Sequence, residues 1–173
     1  MTIRRRLAPV TALLCAGCLV PQEIEEMEPP REGNDAPRIV LRSPSTSTVV
    51  TQRDCPVVFE LLGIEDYDRA DGLVVRWFVN YGPDHLEPVQ ETYIAPSPEM
   101  VDGIRTPAGD SFELAPRQYA SGAAGYLVVE AVVSDGFDPD PEAEPRNRAV
   151  LPGKDWDETS WKVTVTEEIR CVR

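Results

Sequence analysis

The stretch GYLVVEAVVS, residues 125–134, puts Leu127, Val129, Ala131 and Val133 on one face of an extended chain and Glu130 on the other. A period of two in β-branched and aliphatic residues marks a strand with one buried face. The same reading extends outward to three more runs. LVVRWFVNY (73–81) turns Leu73, Val75, Trp77 and Val79 inward and Arg76 and Asn80 outward; PVVFELL (56–62) opposes Val57, Phe59 and Leu61 to Glu60. TSWKVTVTEEIRC (159–171) opposes Trp161, Val163 and Val165 to Lys162 and Thr164, and its misfit Glu167 predicts a bulge near Thr166 to Glu168. Weaker runs at 38–42, 47–51, 87–94 and 110–115 bring the strands to eight. Gly, Pro, Asn and Asp punctuate them, and no amphipathic helical period appears, so residues 38–173 are expected to form an all-β domain.

Upstream the composition changes. Arg4, Arg5 and Arg6 precede an apolar run from Leu7 to Leu14 and then Cys15-Ala16-Gly17-Cys18. A basic start, an apolar stretch too short to span a bilayer and small residues before a cut mark a secretion leader. Its end resembles the lipobox of bacterial lipoproteins, although Cys15 stands where that motif usually carries leucine. The resemblance implies a signal peptide over 1–17, a fatty-acylated Cys18 as first mature residue, and, with Leu19 following, an outer-membrane address. The alternative is an ordinary leader cut elsewhere, with Cys18 a free or disulfide-bonded thiol. Two or three acyl chains hold a protein on a membrane for its lifetime, so anchoring would need nothing more from the polypeptide. Residues 18–37, rich in Pro and Glu and without an apolar face, read as a disordered tether that extends by about 3 Å per residue.

The chain carries 17 Lys and Arg against 30 Asp and Glu, a formal net charge of −13 that becomes more negative once the leader arginines are removed. Such a surface repels phosphate backbones and anionic headgroups, which excludes a nucleic-acid partner and a basic membrane-binding face. Export leaves Cys55 and Cys171 in an oxidising compartment with no other exported partner, so a Cys55–Cys171 disulfide is expected, the alternative being two separate buried thiols.

VVRWFVNYG, with Trp77 near its middle, and the later GYLVVEAVVSDG resemble strands C and F of Ig-like modules of the PKD, cadherin-like and fibronectin type III kind. The match covers about two thirds of the exported chain. It implies an antiparallel Ig-like β-sandwich, one without the B–F disulfide of antibody domains, since the F-like strand has no cysteine. In that topology the start of strand B and the end of strand G share one end, which brings Cys55 within reach of Cys171.

The most suggestive chemistry is acidic: Glu65, Asp66, Asp68 and Asp71 after the B-like strand, and Asp135, Asp138, Asp140 and Glu142 after the F-like one. Converging carboxylates of this kind suit Ca²⁺, which takes six to eight oxygens. The spacing Asp66-x-Asp68-x-x-Asp71-Gly72 departs from the calcium-loop template, and the alternative is two solvated acidic loops beside turn glycines. His85, the only histidine, lies in a Gly-Pro-Asp-His turn. Gly109-Asp110-Ser111 resembles the nucleophile block of GDSL-type hydrolases, but Phe112 replaces its leucine, no Asp-x-x-His follows, and the three residues suit a turn entering a strand. No catalytic residue is therefore assigned.

Trp77 reads as a core pin and Trp161 shares the apolar parity of its strand, whereas Trp156 lies in the polar stretch Gly-Lys-Asp-Trp-Asp-Glu. An exposed tryptophan stacks on sugar rings or anchors a protein interface; the alternative is that it folds back over the sheet edge. The connection from Asp135 to Asp155, with Pro139, Pro141, Pro145 and Pro152, is long enough to be a binding loop or simply mobile. Together these readings describe a lipid-anchored envelope protein with a non-catalytic binding or structural module. Its expected partner is another envelope protein, the second class is a carbohydrate or peptidoglycan ligand, and the third is a hydrolase.

Overall fold

The computed structural model describes residues 34–68, 70–96, 103–105, 110–120, 125–167 and 171. The leader over 1–17, the expected acylation site Cys18, most of the tether and Gly109 lie outside the described residues. Residues ahead of Arg38 also pack on the domain: Pro37 is buried and the Asp35 N–H donates to the Asp68 carboxylate at 2.6 Å.

In chain order the elements are β1 (Arg38–Ser43), β2 (Thr48–Gln52), β3 (Val57–Glu65), β4 (Leu73–Val79), β5 (Gln90–Ile94), β6 (Ile104–Arg105), β7 (Ser111–Leu114), α1 (Pro116–Tyr119), β8 (Gly125–Ser134) and β9 (Trp156–Thr166). One sheet is built on β3, which pairs with β1 along one side and with β6 and β7 along the other. The second has the order β2-β9-β8-β4-β5. Taken as A, A′, B, C, C′, E, F and G, with β6 and β7 together on the E side, the strands have the order of an Ig-like sandwich.

The inward residues named above meet in one core. Phe59, Leu61, Phe112 and Leu114 from the first sheet pack on Leu73, Val75, Trp77, Val129, Val133, Trp161 and Val163 from the second. Trp161 sits at the middle, its ring 5.0 Å from Phe59 and 6.0 Å from Trp77, and Trp77 lies 5.7 Å from Phe112. Offset aromatic pairs of this kind are worth about 0.5–1.5 kcal/mol each beyond their buried area. Trp161 also fixes the entry of the chain. Its Nε1–H donates to the Pro44 carbonyl at 2.8 Å, where the backbone leaves β1 and crosses to the other sheet.

The sandwich is not wholly antiparallel, because β2 runs parallel to β9 from Thr48↔Lys162 to Gln52↔Thr166. The chain changes sheets after β1 without reversing, so it meets the last strand travelling the same way. Other expectations are corrected too. The last strand starts at Trp156 and ends at Thr166, with Glu167 exposed beyond it, so the break in alternation marks an end and no bulge; residues 168–170 lie outside the described residues. Register shifts occur instead in β1, between Ile39 and Arg42. β6 and the single turn α1, opened by Pro116, had no sequence signal long enough to read.

The outer face of the second sheet departs most from expectation. Phe78 and Val132 point away from the core yet are fully buried, under Phe137 and beside Val74, Tyr81 and Val150. The connection from Asp135 to Asp155 covers them. It closes on itself through Asp138 N–H to Ala149 O (2.8 Å) and Leu151 N–H to Gly136 O (2.9 Å), with Phe137 bridged to Val150. Arg76, on β4, lies 4.2 Å from the Phe137 ring centroid and donates to the Asn147 carbonyl at 2.8 Å; the Tyr81 hydroxyl donates to the Arg146 carbonyl at 2.7 Å. The connection, expected to be either mobile or a binding element, is packed on the sheet as a cover.

Cys55 and Cys171 form a disulfide with Cα atoms 5.4 Å apart, closing a separation of 116 residues. Cys55 lies in the turn before β3, and Cys171 is exposed beyond β9 and belongs to no described strand. Chain-entropy arguments give a loop of this size about 4–5 kcal/mol of stabilisation. Urea unfolding of the Cys55→Ser, Cys171→Ser double variant is expected to show a loss of that order against oxidised protein; unchanged stability would mean that the bridge constrains nothing.

Candidate functional site

The two acidic loops do meet at one end of the sandwich, and they meet around basic side chains. Arg105 of β6 places Nη2 2.7 Å from Asp66 Oδ2, both side chains being 2% exposed, and its guanidinium also donates to the Asp68 and Asp71 carbonyls. The Asp66 N–H donates to Gly103 O at 2.8 Å. Gly103 has φ +74° with Tyr67 packed against it, so a side chain there would be both strained and crowded. Lys154 Nζ lies 2.7 Å from Asp71 Oδ2 and 3.5 Å from Asp135 Oδ2, joining the two loops.

Asp138 and Asp140 accept from the Asp140 and Glu142 amides of their own loop, in local turns of the kind Asp favours. Burial pushes the Asp66 carboxyl up, against the opposing pull of the Asp68 amide and Arg105, and Asp71 holds the Lys154 ammonium above its ordinary range. Among the described residues no group of three or more His, Cys, Asp or Glu side chains is arranged to hold a metal ion. Coulomb attraction at a buried site needs a partner for each charge, and here Arg105 and Lys154 supply it. Neither stood out in the sequence, although an acid excess concentrated in two loops calls for a buried counter-charge.

Of the hydrolase-like block, Asp110 is buried and Ser111 half-buried. Asp110 is 3% exposed, its Oδ1 accepts from Trp77 Nε1–H at 3.3 Å, and its Oδ2 has no hydrogen-bond partner among the described residues. Ser111 pairs with Glu60 in the sheet, and His85 is exposed in a turn closed on Gly82.

Trp156 is 48% exposed at the first residue of β9, paired with Ser134 of β8. Its parity, shared with Glu158, turns it to the outer face, where the covering loop stops short and leaves a cleft of about 370 Å³ lined by Trp156, Tyr81, Pro145, Arg148, Val150 and Glu158 among others. The volume lies within the range of ligand clefts, roughly 300–1,000 Å³. Arg148 forms the floor: its guanidinium lies 3.8 Å from the Tyr81 ring centroid and 4.6 Å from that of Phe78, with Nη2 2.8 Å from Glu130 Oε2 and Nη1 3.5 Å from Glu158 Oε2. A second cleft of about 450 Å³, between Arg53, Asp54 and Pro56 on one side and Glu113, Pro116 and Arg117 on the other, is more polar. Its Arg117–Asp54 pair, at 3.6 Å, is largely exposed and so worth little.

No family model, curated protein or solved structure matches the chain. The site is therefore read from its own geometry, and the cleft beside Trp156 is the place where an exposed aromatic, charged side chains and a rigid floor coincide.

Burial raises the Asp110 carboxyl, opposed by hydrogen bonds from Trp77 and Thr92. A carboxyl raised on folding holds its proton more tightly folded than unfolded, so its contribution is full below the ordinary carboxylate value and is lost as pH climbs through the raised one. Asp110→Asn, which keeps an acceptor for Trp77 without the charge, is expected to be more stable than the parent at pH 7, with the gap closing at pH 3. Equal urea midpoints at pH 7 would contradict this.

Proposed function

We propose that the chain is an exported lipoprotein of the cell envelope, held at the outer membrane by acylated Cys18, whose Ig-like domain is a non-catalytic module that binds another envelope component in the cleft beside Trp156. The observation that carries the binding role is the cleft itself: a half-exposed indole beside a guanidinium fixed by two carboxylates, on a loop packed in place. Export is supported by the leader ending at Cys18 and by the closed Cys55–Cys171 bridge, which persists in oxidising compartments. A protein partner and a glycan both suit an exposed tryptophan. No cofactor and no nucleic acid enter this reading.

Two measurements on material from the protein's own cells test it. Intact mass is expected to correspond to a chain beginning at an acylated Cys18; an uncut or unlipidated product overturns the anchor. A photoreactive residue in place of Glu144, on the cleft rim, is expected to crosslink to an envelope component more strongly than one in place of Glu113 at the second cleft. Equal labelling from both positions would remove the cleft from the proposal.

A further inference from the structure

We infer that the cleft beside Trp156 is a saccharide subsite, which takes a neutral sugar ring of a glycan with its apolar face on the indole; this names the ligand class of the binding role proposed above and rests on it. Of the three tryptophans, Trp77 and Trp161 are fully buried, and only Trp156 offers a ring to a ligand.

Charge is the first discriminator. Arg148 is paired with Glu130 and Glu158, and Arg146 with Glu142 and with Glu144 on the rim, so both guanidiniums in and around the cleft are compensated and carboxylates are in excess. A ligand meets guanidinium donors that are already paired and an excess of carboxylate acceptors, which disfavours an anion. A sugar hydroxyl, donor and acceptor at once, bridges guanidinium and carboxylate where a purely cationic or anionic group satisfies only one. The acidic surface of the whole chain, at −13, further disfavours anionic glycans.

The main chain is the second. An extended peptide gains its affinity from unpaired backbone groups at a sheet edge. Beneath the cleft β9 is paired with β8 from Trp156, the edge that β2 leaves open before Lys162 being on its other side; the Arg148 and Ala149 amides donate to the Pro145 carbonyl, and the Ala149 carbonyl accepts from Asp138. Recognition is left to side chains, and those present are a flat apolar ring flanked by polar atoms. That is the complement of a pyranose, with its apolar face and equatorial hydroxyls. The volume of about 370 Å³ suits a small ligand portion more than a long segment.

The test titrates the full chain in detergent with chitotetraose, cellotetraose and maltotetraose, following tryptophan emission and heat. A saturable response to at least one of them is expected, weakened by about tenfold or more in Trp156→Ala, within a few-fold of the parent in Trp156→Phe. Both variants are expected to melt close to the parent, since the ring lies outside the core. A response that survives Trp156→Ala overturns the inference. So does silence with all three sugars: if crosslinking from position 144 still captures a protein, the saccharide assignment alone falls, and if it captures nothing, the binding role falls with it.

Discussion

The second sheet is apolar on both faces at its centre, and that constraint governs the rest of the molecule. Leu73, Val75, Trp77 and Val79 fill the inside of β4, while Phe78 stands on its outside beside Val132 of β8. Both outer residues need a cover. Ordering a loop costs about 1–2 kcal/mol per residue in backbone entropy, more than two apolar side chains return. The connection is accordingly held by much besides them: Arg76 and Arg148 stacked on aromatic rings, the Tyr81 hydroxyl on the Arg146 carbonyl, Asp turns within the loop, and prolines that restrict the unfolded chain. Because this cover ends before the top of β9, Trp156 and Glu158 remain at its margin, and the cleft follows from where the cover stops.

The opposite face is organised around Trp161. Its ring joins the two sheets, and its Nε1–H receives the chain at Pro44, where the first strand changes sheets. The parallel β2–β9 pair follows from that crossing. The disulfide then ties the turn before β3 to Cys171, so both ends of the domain are bound to the sheets. The acidic end is fixed separately, by Arg105 under Asp66 and by Lys154 between Asp71 and Asp135. A domain with this much negative charge holds together there by setting a buried and a half-buried cation among its carboxylates.

The inner core was legible because a period of two needs no tertiary knowledge: the alternating residues of β3, β4, β8 and β9 are the buried ones, with Val57 only half-buried. The Cys55–Cys171 bridge was legible by elimination once the leader reading set Cys15 and Cys18 aside. The outer face was not. Alternation assigns Phe78 and Val132 outward and stops there, since what covers them lies in a proline-rich connection without any period of its own. The start of β9 was hidden for a related reason: Asp157 occupies an inward position, and its carboxylate accepts from the Ile39 N–H at 2.7 Å, a partner more than a hundred residues away in sequence. Arg105 escaped notice because a two-residue strand has no pattern. Trp156 stood out by its polar surroundings, with its exposure left open, while Tyr81, Pro145, Arg148 and Glu158, which make a cleft beside it, come from segments that only the folded loop brings together.

Whether the cleft exists before any ligand arrives depends on the cover being folded in the free protein. Amide hydrogen exchange reads this at Asp138, Ala149 and Leu151, whose N–H groups donate within the loop. Exchange slowed to a degree approaching that of β8 is expected if the loop is part of the packed structure. Exchange at the rate of an unstructured peptide, with β8 still protected, would contradict a preformed site and leave Phe78 and Val132 without their cover.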